Sequence, residues 1–70
     1  MTDLDHKILQ AMARHPRWHR DAAAELGLSQ PRFSLHALRL LRDPEAEATD
    51  PVTVHRWRRI LAQRKARRGS

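Results

Sequence analysis

The chain has 70 residues and no cysteine, and its formal net charge at pH 7 is +6. A chain of this length forms one domain with a small core, and the lack of cysteine excludes disulfides and thiolate metal sites. No apolar run approaches membrane-spanning length, and the first residues lack the charge and the apolar core of a signal peptide. We therefore expect a cytoplasmic protein with no membrane-spanning segment.

The charges are distributed unevenly along the chain. All eight acidic residues lie at or before Asp50, together with seven of the fourteen Lys and Arg residues. Residues 51–70 carry the other seven and no acid. Such an asymmetry indicates a polyanionic partner for the C-terminal part. Nucleic acid is the polyanion we favour, although an anionic membrane surface or an acidic protein patch would meet the same charge.

The first helix is predicted to begin after Thr2 or Asp3, either of which can cap it, and to run to about Arg14. Its apolar stripe consists of Leu4, Ile8, Ala11 and Met12, with Leu9 at the edge. Pro16 cannot continue this helix, so a second helix is expected to begin there and to end at Gly27. We expect Trp18, near its start, to pack as a lid over the core.

Residues 22–41 have the order of a helix, a glycine turn and a second helix. Gly27 supplies the left-handed position that ends the first of these helices, and Ser29 is a good N-cap for the next. That third helix is predicted from about Gln30 to Arg42 and points Phe33, Ala37 and Leu40 inward, with His36 and Leu41 on the shoulders. The order is typical of the helix-turn-helix of DNA-binding proteins, and an ordinary αα corner is the alternative.

The outward face of the third helix carries the candidate contacts. Arg32 and Arg39 lie two turns apart along one side, which suits phosphate or guanine contacts from a helix in a groove. Solvated surface charge is the alternative. Leu35 and Leu38 also point outward, and we expect both to be buried under another element. Contact with thymine methyls or with a protein partner are the alternatives.

Two Asp-Pro pairs, at residues 43–44 and 50–51, each predict a helix start. Residues 44–48 can form only about one turn. The next helix is longer: its apolar arc is Val54, Trp57, Ile60 and Leu61, and its outward residues are His55, Arg56, Arg59 and Gln63. Residues 64–70 are expected to be a disordered basic tail on a domain of residues 1–63. The fold class is all-α, a small helix-turn-helix bundle of about four helices.

One series of motifs resembles a known family. The series is Leu28-Ser29, Arg32-Phe33, Leu40-Leu41, Pro44-Glu45-Ala46, Asp50-Pro51, Val54 and Arg56 to Arg59. In this order it resembles a family of small actinobacterial and actinophage proteins of uncharacterised function. The resemblance covers about residues 18–68. It implies a helix-turn-helix-like domain with no known enzymatic activity.

The remaining residues suggest no catalytic or metal chemistry. The five histidines lack the spacing of metal ligands, and Ser34 and His36 point in different directions on a helix. We expect no enzymatic activity, no metal and no cofactor.

These observations favour a small DNA-binding protein, acting as a transcriptional regulator or a phage-type accessory factor on double-stranded DNA, in the cytoplasm with the nucleoid. A homodimer or a protein partner is expected if binding is sequence-specific. The candidate DNA contacts are Gln30, Arg32, Ser34, Arg39, Arg42, Arg56, Arg59, Arg64, Lys65, Arg67 and Arg68. One alternative is a protein-interaction module that binds a host protein, such as the transcription machinery, through Leu35 and Leu38. RNA binding by the basic tail is another.

Overall fold

Five α-helices pack together in the computed structural model, which describes residues 1–15 and 19–69, with side chains to residue 67. The helices are α1 (Asp3–Arg14), α2 (Arg20–Glu25), α3 (Gln30–Leu40), α4 (Pro44–Thr49) and α5 (Pro51–Gly69). The described residues contain no strand. The predicted all-α class is confirmed, with five helices in place of about four.

Helix α1 begins as its sequence predicts. The Thr2 hydroxyl accepts a hydrogen bond from the Asp5 backbone N–H, and the Asp5 carboxylate accepts one from the Thr2 N–H, both at 3.1 Å. This reciprocal capping box satisfies two N–H groups that the first turn cannot pair. The predicted apolar stripe needs one correction, since Leu9 is buried and Leu4 is 39% exposed. At about 100° per residue, Leu9 lies closer than Leu4 to Met12, which is fully buried.

The turn between α2 and α3 also agrees with its prediction. Gly27 has a φ of +68°, and the backbone N–H groups of Gly27 and Leu28 donate to carbonyls of the last turn of α2 at 3.2 and 3.0 Å. This pair of bonds forms a Schellman motif, which ends a helix by satisfying its free carbonyls. The Ser29 hydroxyl then caps α3 by accepting from the Arg32 N–H at 3.3 Å.

The start of α2 differs from its prediction. The helix begins at Arg20, with His19 as its N-cap at a φ of 25° and without a side-chain capping bond. The predicted start at Pro16 and the predicted packing of Trp18 lie outside the described residues.

Replacing Gly27 with valine is expected to lower the free energy of unfolding by about 1–3 kcal/mol, because a branched residue is strained at positive φ. A Cβ at this position would meet no atom within 4 Å, so the cost comes from the backbone alone. Gly27→Asn is the control, since asparagine tolerates this conformation better. Thermal melts followed by circular dichroism would measure both. Equal melting temperatures for the valine variant and the parent would contradict the turn.

The core forms where α1, α3 and α5 meet. Phe33, Ala37 and Leu40 of α3 are fully buried as predicted, while Leu41, expected on a shoulder, is buried too. Among the described residues, Trp57 is the largest fully buried side chain, and its ring lies 6.2 Å from that of Phe33, tilted by 56°. The tilted arrangement is favourable for aromatic pairs. The two rings therefore join α5 to α3.

Both Asp-Pro pairs begin helices, as predicted. Asp43 caps α4, with its carboxylate 2.9 Å from the Glu45 N–H, and Asp50 accepts from the Thr53 N–H at 3.2 Å in the first turn of α5. Beyond residue 63, where the sequence predicts a disordered tail, α5 continues to Gly69. No proline or glycine interrupts residues 52–68, and most of residues 61–68 are good helix formers.

Candidate nucleic-acid interface

The outward face of α3 has an exposed half and a half that faces α5. Arg32 is exposed, and so is Leu35, at 71%. Leu38 is half-buried and lies beside Leu61 of α5. The expectation that both leucines are buried is therefore wrong for Leu35. The two leucines differ by about 60° around α3, and only the Leu38 side faces α5.

A cleft of about 300 Å³ lies between α3 and α5. Its lining residues are His19, Ser34, Leu38, Arg42, Leu61, Arg64 and Lys65. Four of the predicted DNA-contact residues are thus brought together from α3, the turn after it and α5, and none of the described lining residues is acidic. The cleft has a positive rim and an apolar wall, which are features of a site for an anion.

The His19 imidazole reports the positive potential of this cleft. Burial lowers its pKa, the charge of Arg64 lowers the pKa further, and a hydrogen bond with Gln30 acts in the opposite direction. The net shift is downward, which favours the neutral form of His19 at pH 7. The positive charge of the cleft at that pH therefore comes from Arg42, Arg64 and Lys65.

Arg39 is paired with α1. Its guanidinium donates to the carboxylate of Asp5, whose side chain is only 7% exposed, while the side chain of Arg39 is 59% exposed. Burial alone would raise the pKa of Asp5, but hydrogen bonds from Thr2 and the charge of Arg39 outweigh it, so the pKa is lowered. The Asp5 carboxylate of α1 thus partly compensates the charge of the Arg39 guanidinium and holds it in position.

The Asp5 pair predicts an acid-dependent loss of stability. Because the pKa of Asp5 in the folded chain lies below the ordinary value of 3.8, its ionised carboxylate stabilises the fold above that pH, and the contribution is lost as the pH falls through the lowered pKa. We expect Asp5→Asn to melt below the parent at pH 7 and the difference to shrink below about pH 4. Melting both proteins across this range is the test. A difference that stays constant with pH would contradict the assignment.

Two arginines of α5 form hydrogen bonds to other helices and turns of the fold. Arg56, predicted to face solvent, is half-buried and donates to the carbonyl oxygens of Met12 and Ala13 at 3.0 and 3.2 Å. Arg58 donates to the Leu41 carbonyl at 2.8 Å and to the Glu47 carboxylate at 2.7 Å. Each arginine satisfies carbonyls that a helix end leaves unpaired. The orientation predicted for Arg56 is therefore wrong, and the role of Arg58 was not predicted.

The other candidates are distributed over the surface. Gln30 is exposed at the start of α3, and Arg67 is exposed near the end of α5. Arg59 is also exposed, but it lines a separate hollow together with Pro51, Val52, His55 and Arg56. The side chain of Arg68 lies outside the described residues. The structure thus groups Ser34, Arg42, Arg64 and Lys65 and leaves Arg59 on another side of α5.

The described residues form neither a cluster of metal ligands nor a membrane-spanning helix. No three His, Cys, Asp or Glu side chains within residues 1–15 and 19–69 come together as metal ligands. In the same ranges, every helix is too short or too polar to cross a membrane.

The fold and this surface define a small all-α protein in which α2, the Gly27 turn and α3 lie beside a basic cleft. The chain belongs to the family described as proteins of unknown function, DUF3263, whose model matches residues 1–69. The match includes α1, which lies before the segment that carries the sequence resemblance. Neither the curated proteins nor the solved structures contain a match to this chain.

Proposed function

We propose that this chain is a DNA-binding protein that places α3 in the major groove of double-stranded DNA. The observation that carries the proposal is the grouping of Arg42 with Arg64 and Lys65 beside the exposed face of a helix-turn-helix. Cations from the turn after α3 and from α5, on one side of a recognition helix, can contact backbone phosphates while the helix reads base edges.

The exposed residues divide between the two kinds of contact. Gln30 and Arg32 lie in the first turn of α3, the end from which such helices contact bases. Arg42, Arg64 and Lys65 would neutralise phosphates along the backbone. Arg39 would act from the position that Asp5 fixes. Such a protein would act as a transcriptional regulator or a phage accessory factor, at the nucleoid of an actinobacterium, as a homodimer or with a protein partner.

Fluorescence anisotropy with labelled duplexes tests this proposal. After selection of a preferred site, Arg32→Ala is expected to cost about 1–3 kcal/mol on that site and little on other sequences. Lys7→Ala is the control, because Lys7 is an exposed lysine of α1 with no side-chain partner among the described residues. Absence of duplex binding at low salt by the parent protein would overturn the proposal.

Protein binding through α3 is the second candidate, favoured by the 71% exposure of Leu35. An exposed leucine at the centre of a helix face is a common anchor in protein interfaces. If α3 binds a protein, Leu35→Ser should abolish the complex, whereas Arg32→Ala should leave DNA affinity unchanged. If α3 reads DNA, Leu35→Ser should have little effect or shift preference at one thymine. Each variant is melted first, so that loss of binding is separated from unfolding.

A further inference from the structure

We propose that the cleft between α3 and α5 is a binding site for a phosphate group carried on a small organic body. The cations Arg42, Arg64 and Lys65 and the hydroxyl of Ser34 line it, and Leu38 and Leu61 form its apolar wall. The guanidinium and ammonium groups match phosphate oxygens, and the leucines match the uncharged part of a phosphate ester. Its volume of about 300 Å³ is at the lower end of small-molecule sites.

The ion pairs of three other arginines support this assignment. Arg14 is bound by Glu25, Arg39 by Asp5, and Arg58 by Glu47. By contrast, the side chains of Arg42 and Lys65 have no hydrogen bond or ion pair among the described residues. The chain therefore neutralises several arginines with its own acids, whereas no acid is among the described residues that line the cleft. An anion that enters the cleft would reduce the electrostatic repulsion between Arg42 and Lys65.

The position of His19 strengthens the geometric argument. His19 lines the same cleft, and burial, together with the positive charge of Arg64, lowers its pKa. A phosphate bound between Arg64 and Lys65 would bring negative charge next to the imidazole and raise that pKa. The pKa of His19, measured by a proton NMR titration, therefore indicates whether the cleft is occupied.

The assignment does not require that the protein binds DNA. A phosphate monoester on a small molecule and one phosphate of a nucleic-acid backbone would use the same cations. A backbone phosphate would occupy the cleft only while the duplex is bound to the protein. A free phosphate ester would bind in the cleft when no duplex is present.

The experiment titrates AMP and inorganic pyrophosphate into the full chain and follows His19 by NMR, with its signal assigned by loss in His19→Gln. We expect saturable binding of AMP and a rise in the His19 pKa. Lys65→Ala and Arg42→Ala should each weaken AMP binding about tenfold or more, since each removes a charged hydrogen-bond donor. Lys7→Ala, a lysine outside the cleft, should bind AMP like the parent.

Competition with a labelled duplex then identifies the source. If AMP displaces the duplex, the cleft holds a backbone phosphate when DNA is bound. If AMP binds without displacing the duplex, the cleft is a site for a small molecule. Both outcomes support the site. No change at His19 with either probe would overturn the proposal. Equal AMP affinity in the parent, Lys65→Ala and Arg42→Ala would overturn it as well. A protein that binds AMP but no duplex would retain this site and lose only the DNA-binding proposal.

Discussion

Phe33→Ala is expected to unfold much of the protein at room temperature. Phe33 is fully buried, and its ring packs 6.2 Å from that of Trp57. Truncation of a buried phenylalanine costs about 3–5 kcal/mol. The core of a chain of this length supplies little more than that in net stability. Circular dichroism should show loss of most helical signal, or a melting temperature far below that of the parent.

Leu35→Ala is the matched control for this experiment. Leu35 lies two residues further along the same helix and is 71% exposed, so its truncation removes few contacts. The free energy of unfolding of the Leu35→Ala variant should stay within about 0.5 kcal/mol of the parent value. If Phe33→Ala melted with the parent while Leu35→Ala did not, the inward face of α3 would be assigned incorrectly.

Truncation after Gln63 is expected to have the largest effect on DNA binding while the fold stays intact. Of the removed segment, the described side chains, residues 64–67, contribute nothing to the core, and Arg64, Lys65 and Arg67 are exposed. Affinity should fall on all duplexes alike, because phosphate contacts carry no sequence information. The slope of log affinity against log salt should become shallower by about 0.9 for each lost contact. Anisotropy titrations at several salt concentrations would measure both.

A second variant separates charge from helix length. Glutamine at the four basic positions of residues 64–68 keeps the chain length and favours the helix but removes the charge. We expect it to match the truncation in both affinity and slope. Unchanged affinity and slope in both variants would show that this segment makes no contact with DNA.

The sequence predicted most of the local structure because local structure depends on neighbours along the chain. Thr2, Ser29 and Asp43 cap helices through hydrogen bonds that span two or three residues. Gly27 forms its turn for the same local reason. The sequence also predicted which residues of α3 are buried, because an α-helix has 3.6 residues per turn.

The long-range partners of charged residues could not be predicted in this way. Arg39 binds Asp5, which is 34 positions away, and Arg56 binds carbonyls more than 40 positions away. In the sequence, both arginines look like free cations on helices. Only the packing of α1 against α3 and α5 makes these partners available.

By itself, then, the sequence determined the all-α class, the caps, the Gly27 turn and the asymmetry of charge, all of which follow from residue type and short spacing. The tertiary structure alone decided which cations remain available to a ligand. It left Leu38 half-buried beside α5 and Leu35 exposed, and it brought Arg42 of the turn after α3 to Lys65 of α5 around one cleft. The reason is that helix packing sets the distances between residues far apart in sequence, and the charge pattern does not encode those distances.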